Sequence, residues 1–383
     1  MNNKITVIGA GKLGLGLALL FEKYGYEVCG VDINQKYIDK INKKIIDTKE
    51  PGYNELLKNS KNLFMTTDLE YGLNYSNIIF ILVQTPNSGG NKFYDHSILS
   101  NLLEKINRFK VKNKDLIIGC TVMPKYILEV GQFLVSDCQN TFVSYNPEFV
   151  AQGDIINGYQ NTDIILLGTL RENLIKKLEN IYSKIIINSK VKYLSMSPLE
   201  AEIVKISING YITTKLSFAN MITDLCNKNN ANPIIVLNAV GSDSRIGNKY
   251  FNTGYSFGGP CFPRDTKALK KFVDESEINS NLLEATTDYN NYHIKFQSQY
   301  LIDYYDNNPN EVIIIEGICY KENCDVPIIE ESAKLKIAFE LYKYYFKYNR
   351  EIIIKDKKNL IDEVKKEYGN IFKYSVYDPS CIS

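Results

Sequence analysis

The sequence predicts an α/β protein in three parts: an N-terminal doubly wound sheet, a central all-helical segment and a smaller, shortened α/β part at the C-terminal end. Three observations carry this. The chain opens as a strand, a glycine turn and a helix, with Ile5–Ile8 running into Gly9-Ala10-Gly11-Lys12-Leu13-Gly14 and then Leu15, Leu17, Leu19 and Leu20. Strand and helix signals then alternate, which is the pattern of βα units and a parallel sheet. From Pro198 the pattern turns helical for about a hundred residues without any period-two stretch, and alternation resumes near Glu311. The expected domains are residues 1–197, 198–305 and 306–383.

Bulk properties narrow the function. A chain of 383 residues exceeds one ordinary core and can bury an enzyme-sized interior. With 45 Lys and Arg against 44 Asp and Glu, the net charge of +1 drives it onto neither nucleic acid nor an anionic membrane, so any anionic ligand must be met by local groups. His96 and His293 are the only histidines. A histidine-rich metal site is thereby excluded, no metal is expected, and acid–base work falls to Lys, Asp, Glu and bound water. The eight cysteines, at 29, 120, 138, 226, 261, 319, 324 and 381, show no metal or disulfide spacing, and Cys319 with Cys324 is too loose for a zinc half-site. Reduced thiols and a cytoplasmic compartment are expected. The apolar run from Lys4 to Phe21 has a signal peptide's outline, but its regular glycines and periodic continuation read as an internal strand and helix. No later apolar run approaches the ~18 residues of a membrane span.

Element by element, the first glycine of the turn permits the bend, the second lets a pyrophosphate approach the backbone, and the third lets helix pack on strand. The helix N-terminus is left facing the anion. Glu27–Val31 reads as the second strand and ends at Asp32, about 20 residues on, where an acid accepts both ribose hydroxyls and repels a 2′-phosphate. This is a Rossmann-type arrangement for NAD rather than NADP, held by Gly9, Gly11, Gly14 and Asp32, with Lys36 on the next helix toward the adenosine side. Strands at Ile78–Val83 and Asp115–Gly119 close at Thr85-Pro86 and Cys120-Thr121. Ligands sit outside the carboxyl ends of such strands, so Thr85 and Thr121 are candidates for the nicotinamide end, although each also fits a plain turn residue. A strand at Thr141–Tyr145 runs into Asn146-Pro147-Glu148-Phe149-Val150-Ala151-Gln152-Gly153, where Glu148 fits the cleft or the solvent equally well. Ile164–Gly168 and Ile185–Ile187 are read as the remaining strands of this part.

In the helical part, Glu202, Lys205 and Asn209 share one helix face. That face is either a solvated stripe or, through Lys and Asn donors, a holder for a developing oxyanion. The helix continues through Lys215, Phe218 and Asn220, a length that suits a spine or a dimer seam. Asp243-Ser244-Arg245-Ile246-Gly247 and Tyr250-Phe251-Asn252 suit phosphate and base contacts, or an ordinary interhelical loop. Next comes a short loop, Gly258-Gly259-Pro260-Cys261-Phe262-Pro263-Arg264-Asp265. Cys261 there is either a nucleophile, with Arg264 favouring the thiolate and Asp265 handling protons, or a buried structural thiol. The last segment reads as a strand over Glu311–Cys319, a helix over Ser332–Phe346, a strand over Glu351–Lys355, another helix and a final strand over Tyr374–Tyr377.

Together these stretches resemble the nucleotide-sugar 6-dehydrogenase family over about residues 3–380. The motifs that carry the resemblance are the Gly9–Gly14 turn with Asp32, Glu50-Pro51-Gly52, Thr85-Pro86, Pro147-Glu148-Phe149, the helix bearing Ala201-Glu202, Lys205 and Asn209, Asp243–Gly247, and Gly258–Asp265 with Thr266-Lys267. The resemblance implies oxidation of a sugar C6 alcohol to an acid in two NAD-dependent steps, through a thiohemiacetal and a thioester on Cys261. In that scheme Lys205 and Asn209 steady the oxyanion. Asp265, with an ordered water, and Thr121 handle protons, and Glu148 helps water hydrolyse the thioester. Arg264 falls on the cofactor side. Phe149, Gln152, Lys205, Arg245, Tyr250, Phe251, Gly258 and Lys321 match positions that hold the nucleotide sugar, Arg245 by reaching across a homodimer.

The forms Phe149 and Cys261-Phe262-Pro263 resemble the glucose-using branch, so UDP-glucose is the expected substrate and UDP-glucuronate, a precursor for surface polysaccharide, the product. The same chemistry on a UDP-N-acetylhexosamine or GDP-mannose, or a homologue that binds without turnover, are the other readings. The chain departs from the family at Gln152, where a second glutamate is usual. It departs again at Ile328-Ile329-Glu330 before Glu331-Ser332, where an Arg is usual. It ends soon after Asp378-Pro379 with no Arg beyond Arg350, which implies a shortened sugar-binding part.

Overall fold

Buried β-branched runs and amphipathic helices alternate along the first half of the chain and give one large sheet. The computed structural model describes residues 3–46, 48–87, 93–321 and 326–377; Cys324, Cys381 and Asp378-Pro379 lie outside them. Its strands are β1 (Lys4–Ile8), β2 (Glu27–Val31), β3 (Leu63–Thr66), β4 (Ile78–Ile81), β5 (Asp115–Ile118), β6 (Phe142–Tyr145), β7 (Ile164–Gly168) and β8 (Lys192–Met196). They stand in the order β3-β2-β1-β4-β5-β6-β7-β8. Neighbours run parallel except β6 and β7, which meet antiparallel at Tyr145 and Gly168. Strand order reverses between β1 and β4, so the crevice past their carboxyl ends is the natural ligand position of such a sheet.

The connecting helices are α1 (Lys12–Lys23), α2 (Gln35–Asn42), α3 (Tyr53–Asn59), α4 (Leu69–Tyr75), α5 (Ser97–Arg108), α6 (Ile155–Gln160) and α7 (Glu172–Ile185). Alternate strand residues serve opposite faces of the sheet. Phe80 and Ile117 pack in the cluster with Leu17, Leu20 and Phe21 of α1 and Leu178 of α7, while Ile79, Ile81, Leu116 and Ile118 pack with Leu99 and Leu103 of α5. Each such buried side chain stabilises the sheet by about 1.5–3 kcal/mol.

Two details differ from the sequence reading. Ile185 to Ile187 is no strand: Ile185 closes α7, whose buried positions Leu174, Leu178, Ile181, Tyr182 and Ile185 repeat at helical spacing. The last strand is instead β8, an edge strand with three of its five residues exposed and little apolar pattern. The other edge strand, β3, has only four residues and is absent from the sequence reading.

The chain divides into two compact units inside helix α8 (Pro198–Lys228), one ending at Lys205 and the other starting at Ile206. At 31 residues α8 is about 46 Å long. The second unit continues with α9 (Pro233–Gly241), α10 (Phe262–Glu275) and α11 (Asn281–Asn307). Then β9 (Ile313–Glu316), α12 (Ala333–Tyr345), β10 (Ile352–Asp356), α13 (Lys358–Tyr368) and β11 (Lys373–Val376) build a three-stranded parallel sheet ordered β11-β10-β9. The Ser332 hydroxyl caps α12 by accepting from Leu335 N. Ile294 and Ile302 of α11 share one core with Ile313, Ile352, Ile354 and Leu341, so helical segment and small sheet form a single body. Tyr211, Phe218, Met221 and Leu225 lie within one arc of α8 and are exposed in the monomer. Among the described residues no helix is long and apolar enough to cross a membrane.

Candidate active site

In the first unit the glycine turn is built as its spacing requires. Gly9 has φ +83°, and a side chain there would meet the Leu82 backbone at 2.7 Å. A Cβ on Gly14 would stand 2.1 Å from Gly9 O, so only glycine allows α1 to approach β1 this closely. At Gly11, the N-cap of α1, a Cβ would meet nothing within 4 Å, which leaves an open approach to the helix N-terminus. Asp32 follows β2, with Oδ1 accepting from Asn34 N at 3.0 Å, and Lys36 lies exposed in the first turn of α2. The open glycine cradle and the carboxylate at the second strand end fit NAD. Thr85 and Thr121, past the ends of β4 and β5, are joined: the Thr85 hydroxyl donates to Thr121 O at 2.8 Å.

The loop after β6 is fixed at both ends. Asn146 Nδ2 donates to Leu166 O at 2.8 Å, and Gly153 N donates to both oxygens of the buried Glu50 at 2.9 Å. Between them, Lys205 Nζ donates to Glu148 O at 2.5 Å and stands 4.6 Å over the Phe149 ring. The Glu148 carboxylate points inward, and its Oε1 is shut off from solvent without a hydrogen-bond partner. Burial pushes this carboxyl from its ordinary 4.5 up to about 8, against the opposing pull of the Lys205 ammonium and the Tyr159 hydroxyl. Gln152 accepts from Lys12 Nζ at 2.9 Å.

Glu202 shares the helical stripe but has separate work. Its two oxygens accept from Lys125 N and Ile127 N at 2.8 Å each, holding the turn that starts at Tyr126, and burial raises its carboxyl to about 7.

In the second unit, the segment read as a short loop is largely a helix start. Cys261 is the exposed N-cap residue of α10, and Phe262, Pro263, Arg264 and Asp265 form the first turn. Proline near N1 followed by an acid is a helix-start signal that the sequence carried and the loop reading passed over. Asp265 N donates to Cys261 O at 2.8 Å. The Asp265 carboxylate, 1% exposed, accepts from Asn209 Nδ2 at 2.6 Å, with Arg264 Nε 3.5 Å away. Asn209, Asp265 and Cys261 thus form one connected group.

The preceding glycines seat this helix start. A Cβ on Gly258 would lie 2.1 Å from Glu331 O, and one on Gly259, at φ +78°, 2.3 Å from the Tyr320 ring. Of the other expected sugar contacts, Tyr250 is half-exposed with its ring edge-on to Phe262, and Lys321 is exposed. Phe251 is buried against Ala219 and Leu237. Arg245 is exposed and paired to Asp243 at 2.7 Å.

Sequence reasoning missed Tyr159 and Lys12. Only Lys12 had a visible signal, a cation inside the glycine turn.

The match to known proteins agrees with this geometry. Residues 3–186 match the NAD-binding domain of the UDP-glucose/GDP-mannose dehydrogenase family, and residues 199–292 match its central domain. UDP-glucose 6-dehydrogenase YwqF of Bacillus subtilis is 29% identical over 350 residues, 88% of this chain and 76% of that protein. UDP-glucose 6-dehydrogenase of Rickettsia conorii is 31% identical over 286 residues, 73% of this chain and 65% of that protein. Among solved structures, a UDP-glucose dehydrogenase from Pyrobaculum islandicum superposes with a TM-score of 0.85 at 24% identity, covering 98% of this chain and 86% of that one. The UDP-D-ManNAc dehydrogenase of Pyrococcus horikoshii follows at 0.78 and 24%, covering 92% and 83%. At these identities the two structures speak for the fold.

Proposed function

Because this chain belongs to the UDP-glucose/GDP-mannose dehydrogenase family, we propose that it oxidises the C6 alcohol of UDP-glucose to the carboxylate of UDP-glucuronate through covalent intermediates on Cys261. The observation that carries the reading is the linked group Asn209, Asp265 and Cys261 at the start of α10. NAD, when bound, supplies the hydride acceptor for each of the two oxidations.

The chain's own residues do the rest. Asp265 takes the alcohol proton through a water as the aldehyde forms. The Cys261 sulfur then adds to the aldehyde carbon, giving a thiohemiacetal whose second oxidation leaves a thioester; an aldehyde carbon gives up its hydride only after a nucleophile, here the thiol, has added to it. A helix N-terminus favours negative charge, so the N-cap position suits a thiolate. Asn209 and Lys205 donate to the oxygen that gains charge in each step, and Thr121 assists the proton transfers. Glu148 then takes a proton from water as it attacks the thioester, and the C–S bond breaks to release the acid and the thiol. Arg264 is assigned to the cofactor. Phe149, Arg245, Tyr250, Phe251, Gly258 and Lys321 are assigned to the nucleotide sugar, through backbone or side chain.

The relatives at 29–31% identity are UDP-glucose 6-dehydrogenases, which favours glucose over an N-acetylhexosamine or mannose. The exposed arc of Tyr211, Phe218, Met221 and Leu225 on α8 supports a homodimer formed along this helix. The test is to incubate the protein with NAD and a panel of nucleotide sugars and to count NADH per sugar consumed. Two with UDP-glucose supports the reading, and a preference for another sugar moves the substrate. One NADH means the reaction stops at the aldehyde, and none with any sugar overturns the enzyme.

A further inference from the structure

We propose that Lys12 is a cofactor-binding residue, held by Gln152 beside the pyrophosphate position of the glycine turn, and that Gln152 serves the cofactor by leaving the charge of Lys12 intact. The proposal rests on the glycine turn holding NAD. It goes further in giving roles to one residue with no assigned function and to one that departs from the usual glutamate.

Lys12 is the first residue of α1, directly after Gly11, whose open side faces the helix N-terminus. A dinucleotide pyrophosphate lies against that N-terminus. Both partners of the Lys12–Gln152 contact are anchored. Lys12 O accepts from the Tyr53 hydroxyl at 2.5 Å, and the residue after Gln152 is tied through Gly153 N to both oxygens of Glu50 at 2.9 Å. Lys12 Nζ then reaches Gln152 Oε1 at 2.9 Å, its one hydrogen-bond partner among the described residues. The loop after β6 therefore folds back onto the cofactor turn and fixes a long, otherwise mobile side chain there.

The type of acceptor matters. An amide oxygen orients an ammonium and carries no charge, so the full positive charge stays available to a diphosphate within a few ångström. A glutamate at position 152 would form an ion pair with Lys12 and cancel that charge where the cofactor needs it. The cation in the turn and the amide in the loop are thus one arrangement, 140 residues apart in sequence and in contact in space.

The experiment is calorimetric titration of the full-length protein with NAD, ADP-ribose and adenosine, for the parent and for K12M, K12R and Q152E. Replacing Lys12 by Met removes one partly solvated charge-assisted contact, and Q152E neutralises the same charge. Each should weaken NAD and ADP-ribose by roughly tenfold while leaving adenosine, which lacks the pyrophosphate, unchanged. K12R should stay within about threefold of the parent, and K12M should flatten the salt dependence of NAD binding. Parent-like NAD affinity in K12M, or an equal loss for adenosine, overturns the proposal. A parent that binds neither NAD nor ADP-ribose refutes instead the cofactor reading beneath it.

Discussion

Replacing Glu148 by Gln separates what burying this carboxylate costs the fold from what it gives the reaction. Burial holds the group at about 8 instead of 4.5. The native state therefore keeps its proton across a pH range in which the unfolded chain releases it. The stability contributed by Glu148 is complete below pH 4.5 and is lost as pH rises through 8, at about 1.4 kcal/mol per pH unit between the two. From pH 5 to pH 8 the loss is on the order of 3 kcal/mol. Glutamine does not titrate, so the variant should keep that stability, and urea melts at pH 5 and pH 8 should show the parent losing more than the variant by this margin.

Activity should move the other way. About a tenth of Glu148 is ionised at pH 7, so hydrolysis in the parent should rise nearly tenfold per pH unit at low pH and level off above 8. Removing a general base costs roughly 100- to 10,000-fold. The variant should therefore release two NADH per active site in a burst and then stall with an acyl group on Cys261, visible as a mass increase on that peptide. Parent-like acid formation by the variant, or a pH dependence of stability equal to the parent's, would refute the reasoning.

Three other changes test the remaining assignments. Cys261→Ala should abolish net acid formation while leaving NAD binding intact, as measured by product assay and titration; acid at the parent rate would remove the covalent route. Asp32→Ala should weaken NAD by roughly tenfold or more through lost ribose contacts and leave nucleotide-sugar affinity within about twofold; equal loss of both ligands would point to the fold. A Phe218→Glu, Leu225→Glu pair on the exposed arc of α8 should convert a dimer to monomer in light scattering without lowering the melting temperature of the monomer, because both positions are exposed in the single chain. A dimer that survives the pair lies elsewhere.

Much of this was legible where the cause is local. The turn from Gly9 to Gly14 requires glycine for reasons confined to a few neighbouring residues, and Asp32 is placed by the length of one βα unit. Helix α8 declared itself by period and length. Edge elements were harder: β8 exposes three of its five residues and β3 is four residues long, so neither prints a clear apolar pattern, while the β-branched run at Ile185–Ile187 imitates a strand at the end of a helix. The environment of Glu148 was not legible. Its raised pKa comes from burial, against the opposing pull of Lys205 fifty-seven residues away and of Tyr159, an environment that only the folded chain creates.

The stripe Glu202, Lys205, Asn209 shows what periodicity fixes and what it leaves open. Spacing of three and four sets a shared face, and the helix obeys it. The partners differ completely: backbone N–H groups of Lys125 and Ile127 for Glu202, the Glu148 carbonyl for Lys205, and the Asp265 carboxylate for Asn209. Sequence spacing therefore fixed which residues share the face and overstated its unity, since Glu202 caps a turn. The two acids proposed for the chemistry are also unlike each other. Asp265 is engaged by Asn209 and Arg264, which fix the orientation of its side chain in the helix turn that carries Cys261. Glu148 has an oxygen with no hydrogen-bond partner and a pKa raised by burial to about 8, which suits the proposed role of a group that takes up a proton once per cycle and gives it back. A reaction that oxidises twice and hydrolyses once needs both kinds of carboxylate, and the difference between them lies in their neighbours.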